Sequence, residues 1–242
     1  MSDCTKRPLR MMFLAATLLL ATCTFAADIP GNSVALPALQ AEEIVSRMTA
    51  ANRVRAAQLH GYQGRRSYAL QYQGFPNHRE ASLDVVAHYA APDQKQFDVV
   101  GESGSKMLQN KVLMKLLESE REAAAGSTKH NSDLSAENYS FSLLGARPSA
   151  YGGCYRLQVE PRREEKFLYR GEICVNAADF AVESIDAEPA RNPSFWIKKT
   201  RIEHRYRKIG EFWLPESNRT VTSVRLGGTA TLRIAYTDYS LK

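Results

Sequence analysis

Cysteine is scarce in this chain, four residues in 242, and none of it is arranged for chemistry. No Cys-x-x-Cys occurs, which removes the commonest redox and zinc arrangements. His60, His78, His88, His130 and His204 stand singly, without His-x-His or His-x-x-x-His spacing, so no metal site is expected. No glycine-rich phosphate loop of the Walker or dinucleotide type is present. Gly101-Glu-Ser-Gly-Ser105 comes nearest to a nucleophile elbow, but its fifth position is Ser where Gly is required. It reads instead as a Gly/Ser turn capping the helix that follows. Long apolar runs are missing too, since Met11 to Leu20 is too short to cross a bilayer. The net charge is +6, and the +4 that would remain after cleavage of a leader at Ala26 is too mild to argue for nucleic acid. These absences argue against an enzyme, and no catalytic residue or cofactor is expected.

What is present points to export. Lys6, Arg7 and Arg10 precede the apolar run, and Thr24-Phe25-Ala26 supplies small residues for cleavage after Ala26, making 1–26 a signal peptide to the periplasm. Leu20-Ala21-Thr22-Cys23 offers an alternative, a lipid anchor through Cys23, although Thr is a poor residue before an acylated cysteine. Cleavage leaves Cys154 and Cys174 as the only thiols. They fall in two alternating runs, Tyr155–Val159 and Phe167–Val175, around the charged turn Arg162-Arg-Glu-Glu165. A register with Cys154 opposite Cys174 also sets Arg156 against Glu172 and Gln158 against Arg170. Tyr155, Leu157 and Val159 then share the other face with Tyr169, Ile173 and Val175. A disulfide there suits an oxidising compartment.

Residues 27–39 read as a flexible, Pro-punctuated leader, and 40–242 as one domain. Ile44, Val45, Met48, Ala51 and Leu59 form one stripe of a helix from Gln40 to His60, with Arg55 snorkelling at its end. Strands follow at Gly61–Gly74 (Tyr62, Tyr68, Leu70 and Tyr72 inward), 81–90 and, briefly, Phe97–Val100. Ser105–Ala124 reads as a second amphipathic helix, with Met107, Leu108, Val112, Leu113, Leu116 and Leu117 on its apolar side. Its acidic end (Glu118, Glu120, Glu122) opposes its own dipole, which suggests a weakly held lid. Gly126–Glu137 reads as a polar loop. Strands resume at Asn138, with a break at Pro148–Gly153, and end in a meander of 195–208, 217–226 and 230–241. Three-residue turns would set Thr200, Ile202, His204 and Tyr206 opposite Thr222, Thr220, Asn218 and Glu216, and Val224 and Leu226 opposite Leu232 and Ala230. Ile234 and Tyr236 would then face Thr222 and Thr220, with Arg219 against Glu203 outside. The pattern predicts an α+β fold: a strongly curved antiparallel sheet of about seven or eight strands, an open half-barrel, with helices covering its concave face.

The segment Lys199–Tyr239, with Arg201-Ile-Glu-His-Arg-Tyr206, Ile209-Gly-Glu-Phe-Trp-Leu-Pro215 and Tyr236-Thr-Asp-Tyr239, and the strand Tyr155–Pro161 before it, resemble the LolA/LolB-like superfamily. That group includes periplasmic lipoprotein carriers, outer-membrane lipoprotein-sorting proteins and sigma-factor regulators with a half-barrel domain. The resemblance implies a non-catalytic carrier or sensor, acting as a monomer, whose ligand is a lipid or lipoprotein acyl chain. Expected cavity-lining residues are Tyr68, Leu70, Tyr72, Leu113, Leu117, Ile202, Val224 and Leu232. The alternative is an envelope interaction or regulatory module without a lipid cavity. In that case Arg201, Arg205 and Arg207 on the outer strand face would dock an acidic envelope protein or an anionic membrane surface; cross-strand salt pairs are the ordinary use of such a face.

Overall fold

The computed structural model describes residues 36–242 apart from Pro76, Pro193 and Leu226. The expected signal peptide, Cys23, leader residues 27–35 and the Leu226 pairing lie outside the described residues.

The chain begins with helix α1 (Ala41–Gln58), followed by strands β1 (Gly61–Gln73), β2 (Arg79–Ala90) and β3 (Gln94–Gly104). A helical segment comes next: α2 (Lys106–Leu108), a π-helical turn (Gln109–Leu113), α3 (Met114–Ala124) and α4 (Gly126–Ser132). Seven more strands complete it: β4 (Tyr139–Ser149), β5 (Gly152–Pro161), β6 (Tyr169–Asn176), β7 (Val182–Pro189), β8 (Ile197–Ile209), β9 (Phe212–Val224) and β10 (Thr229–Leu241). The strands form one open antiparallel sheet in the order β3-β2-β1-β10-β9-β8-β7-β6-β5-β4. The fold is therefore α+β, a curved half-barrel, with more strands than the sequence pattern suggested. The β3 strand is longer than expected and α4 replaces part of the expected loop. Strand β4 runs through Pro148, which costs little because β4 is an edge strand with no neighbour on one side.

Two cores form on the concave face. Ile44, Val45 and Met48 of α1 pack on Tyr139, Tyr155, Leu157, Val159, Ile173, Val175 and Ile185 from β4–β7. Arg55 reaches from the end of α1 to the Asp179 carbonyl (2.9 Å) and Asn52 (2.8 Å). Tyr155 donates to the Pro37 carbonyl (3.0 Å), so the last leader residues lie against this core. The second core joins Leu108, Leu113 and Leu117 to Tyr68, Leu70, Leu83, Val85, Phe97, Ile234 and Tyr236 of β1–β3 and β10. The π turn rotates the helix face: Gln109 turns inward and donates to the Ser103 carbonyl, while Met107 and Val112 are exposed. Ser105 caps α2 by accepting from Leu108 N (3.5 Å), the role expected of the Gly/Ser turn.

Registers differ from expectation by even numbers of residues. Cys154 lies opposite Asn176, and Arg156 opposite Cys174, a slip of two. Leu232 lies opposite Thr220, and Ile234 opposite Asn218, a slip of four. Even slips return every side chain to its original face, so apolar alternation cannot distinguish them. The β8–β9 pairing matches expectation from Thr200↔Thr222 to His204↔Asn218, but by another route. The turn has two residues, with Gly210 at φ 58°, and a bulge between Arg205 and Tyr206 absorbs the difference, leaving Tyr206 opposite Pro215. In β6, Gly171 (φ 150°) lies where a Cβ would come within 2.3 Å of the Asp186 carbonyl oxygen, so β6 and β7 can approach only with glycine there.

The Cys154–Cys174 disulfide forms diagonally, with a Cα–Cα separation of 5.6 Å. Arg147 lies over it, its Nε 3.3 Å from Cys174 Sγ. The bond closes a span of 20 residues, and chain-entropy loss in the unfolded state then contributes about 3 kcal/mol. We expect a Cys154→Ala/Cys174→Ala double variant to lose stability of that order in urea unfolding; unchanged stability would show that the thiols are not joined.

Candidate functional site

Between the two cores no described helix covers the concave face over β8 and β9, and a cleft occupies the gap. It has two adjoining lobes, of about 810 Å³ and about 650 Å³, which share Leu59, Ala123, Phe167, Ile202, His204 and Asn218. In the larger lobe Val112, Leu116 and Ala123 come from the helical segment, and Thr200, Ile202, Thr220, Thr222, Leu232 and Ile234 from the strands. Leu59 and Phe167 are contributed by neighbouring connections. Such a volume lies in the range of small-molecule sites.

The polar groups of the strand wall are largely satisfied among themselves. Thr200 and Thr222 share a hydrogen bond (3.2 Å), and Thr220 donates to Asn218 Oδ1 (2.9 Å). The Asn218 amide lies 3.5 Å from His204 Nδ1, while His204 Nε2 has no partner among the described residues. The His204 ring stacks on Tyr206 with centroids 4.5 Å apart. Burial pushes the His204 pKa down to about 4, so the ring is neutral at neutral pH.

One flank of the larger lobe is charged. Arg66 of β1 is 2% exposed; it pairs with Glu120 of α3 and stacks between Phe97 (5.1 Å) and Tyr236 (5.0 Å). Lys95 of β3 reaches the same carboxylate at 3.2 Å, and Tyr68 donates to it at 3.0 Å. Burial works against the Glu120 carboxylate, but Lys95 and Arg66 overcome it and hold its pKa below the usual range. Glu122 pairs with Lys166 on the β5–β6 connection. Glu120, one of the three acidic residues expected to weaken this helix, therefore ties it to β1 and β3, whereas the Glu122–Lys166 pair is half exposed and adds little.

Of the eight residues expected to line a cavity, Ile202 and Leu232 stand on the cleft wall. Tyr68, Leu70, Leu113 and Leu117 are buried in the second core. Tyr72 bonds to the Phe75 and Gly227 carbonyls near the hairpin ends, and Val224 ends β9. Sequence reasoning missed Arg66, Lys95 and Glu120. The period of two that turns Tyr62 and Tyr68 inward also turns Arg66 inward, and that signal was available. On the outer strand face Arg201 lies 3.4 Å from Glu203 and Arg205 2.8 Å from Asp186, while Arg207 stacks on Tyr239 at 5.7 Å. Arg201 is thus paired along its own strand with Glu203, and Arg205 across to Asp186 of β7. Among the described residues, His, Cys and carboxylate donors converge at Cys154, Cys174 and Glu183, where the two sulfurs are joined to each other.

No protein-family model matches the chain, and no curated protein does. Among solved structures it is similar to a DUF1329 family protein from Desulfovibrio piger, at 12% identity over 85% of this chain and 94% of that one, with a TM-score of 0.41. An outer-membrane lipoprotein-sorting protein domain from Vibrio parahaemolyticus is 9% identical over 84% and 92%, with a TM-score of 0.40. A LolA superfamily protein from Nitrosomonas europaea is 14% identical over 85% and 94%, with a TM-score of 0.33. At this distance the likeness concerns fold alone.

The depressed His204 pKa carries a sign. Between its ordinary 6.5 and about 4 the unfolded chain binds a proton that the folded protein does not. The stability associated with His204 is therefore present above pH 6.5 and lost as pH falls toward 4. We expect thermal melting across that window to show a shallower acid decline in His204→Gln than in the parent; identical slopes would place the histidine in water.

Proposed function

We propose that this protein is an exported, non-catalytic periplasmic carrier or sensor that holds a hydrophobic ligand, such as lipoprotein acyl chains, in the cleft between the curved sheet and the helices. The observation that carries the reading is the unfilled space between the two cores, walled by Val112, Leu116, Ile202, Leu232 and Ile234. Each methylene moved from water to such a wall contributes roughly 0.8 kcal/mol, so an acyl chain binds without a dense set of polar contacts. The wall hydroxyls do not oppose this, because they already bond to one another. The alternative, an interaction module acting through Arg201, Arg205 and Arg207, is less well supported, because Arg201 and Arg205 are already paired and the interior is not filled.

Native mass spectrometry after gentle purification, with titration of a fluorescent fatty-acid probe, tests the reading. We expect one chain bound per protein, and a loss of roughly fifteenfold in affinity when the chain is shortened by two methylenes. Ile202→Trp should fill the lobe and abolish binding while the protein stays folded. Empty protein that also ignores the probe would end the carrier reading.

A further inference from the structure

The cleft has a charge imbalance that an apolar guest leaves unmet. Arg66, Lys95, Lys166 and Glu120 are the charged side chains among the described residues of its larger lobe. Lys166 has its own partner in Glu122. The single carboxylate of Glu120 therefore serves both Arg66 and Lys95, leaving one positive charge in excess. Arg66 is almost wholly buried, and Lys95 exposes only 19% of its side chain. Unpaired charge in such a place is costly, and an entering anion would relieve that cost.

A second observation points the same way. His204 Nε2 is buried without a partner on the same wall. With Nδ1 facing the Asn218 amide, whose oxygen is engaged by Thr220, the neutral ring carries its proton on Nε2 and offers a further donor. The aromatic rings of Phe97 and Tyr236 on either side of Arg66 hold its guanidinium in place. The donors present are those that recognise a carboxylate or a phosphate, and the apolar wall continues from them along Leu116, Ile202 and Leu232.

We propose that the ligand is an anionic amphipath, whose carboxylate or phosphate head sits against Lys95 and Arg66 while its chain lies along the apolar wall. This rests on the reading of the cleft as an acyl-chain site and names the end of the ligand that the site selects. Glu120 then has a second role beyond holding α3: it tunes the site to a single negative charge by cancelling one of the two cations.

The test is displacement of a neutral fluorescent acyl probe from the purified full chain by palmitate, lysophosphatidic acid and 1-hexadecanol. We expect at least one of the two anions to bind about tenfold or more tightly than the alcohol. The tighter anion assigns the head as carboxylate or phosphate. Lys95→Gln leaves the Arg66–Glu120 pair intact, and should remove most of that advantage while leaving hexadecanol unchanged. Arg66→Gln strands a buried carboxylate and risks the fold, so it is not the deciding variant. Equal affinity for all three ligands, or a Lys95→Gln variant that weakens palmitate and hexadecanol alike, overturns the head-group proposal while leaving the cleft an acyl-chain site. Failure of every ligand to displace the probe, or of the probe to bind, overturns both.

Discussion

The pairing of β1 with β10 shapes everything else in this molecule. It joins a three-stranded meander to a seven-stranded one, Tyr68 against Ile234 and Leu70 against Leu232, so that the first and last strands meet in the middle of one sheet. The open edges are then β3 and β4, which are consecutive in sequence. The chain must travel from one edge of a ten-stranded sheet to the other, and residues 105–138 make that journey. Helical segments α2 and α3 cover the β1–β3 side, and α1 covers the β4–β7 side. Among the described residues no helix is left for β8 and β9. The cleft is thus a consequence of topology rather than of any one side chain, and half-buried residues such as Ile202 and Thr220 are what such a gap requires.

Why the gap does not close depends on the ion cluster. Collapse of α3 onto β8 and β9 would drive Glu120 away from Lys95, Arg66 and the Tyr68 hydroxyl, and would leave the buried Arg66 uncompensated. Losing one partner of a buried pair costs about 3–5 kcal/mol, comparable to what burying one or two further aliphatic side chains would return. The cluster therefore acts as a spacer as well as an anchor. The π turn assists by presenting Val112 to the cleft and aligning Leu113 with Leu108, where an unbroken α-helix would carry Val112 on the face of Leu108.

Much of this was legible in the chain. The alternation in β1, β2 and β8–β10 assigns faces correctly, because burial of one face is a period-two property that register slips of two or four do not disturb. The same invariance explains why Cys154 and Cys174 share a face and are joined without being directly opposite. What the pattern could not reveal was polar burial. Arg66 sits at an inward position between Tyr62 and Tyr68, yet a charged residue in an apolar alternation reads as solvent-facing until a partner is known, and its partner lies 54 residues away in another element. Lys95 is hidden because the apolar signal of β3 begins only at Phe97. The π turn carries no composition signal, so ordinary helical spacing over Ser105–Ala124 puts Met107 and Val112 with the buried leucines, where the structure leaves both exposed.

The chemistry of the wall is the last constraint. A cavity lined only by large aliphatic groups would favour its own closure, because every apolar surface would gain by meeting another. A wall of unsatisfied polar groups would hold water and resist an acyl chain. Thr200, Thr222, Thr220 and Asn218 avoid both outcomes. Their polar atoms pair along the sheet, so covering them costs little, and their methyl and methylene groups face the gap with less bulk than Leu or Phe. On the carrier reading proposed above, guest affinity would come from modest apolar contact spread along the wall, which keeps release feasible, while selectivity would be concentrated where charge is out of balance. Separating the two functions in this way would let one sheet grip a chain weakly along its length and still discriminate at one end.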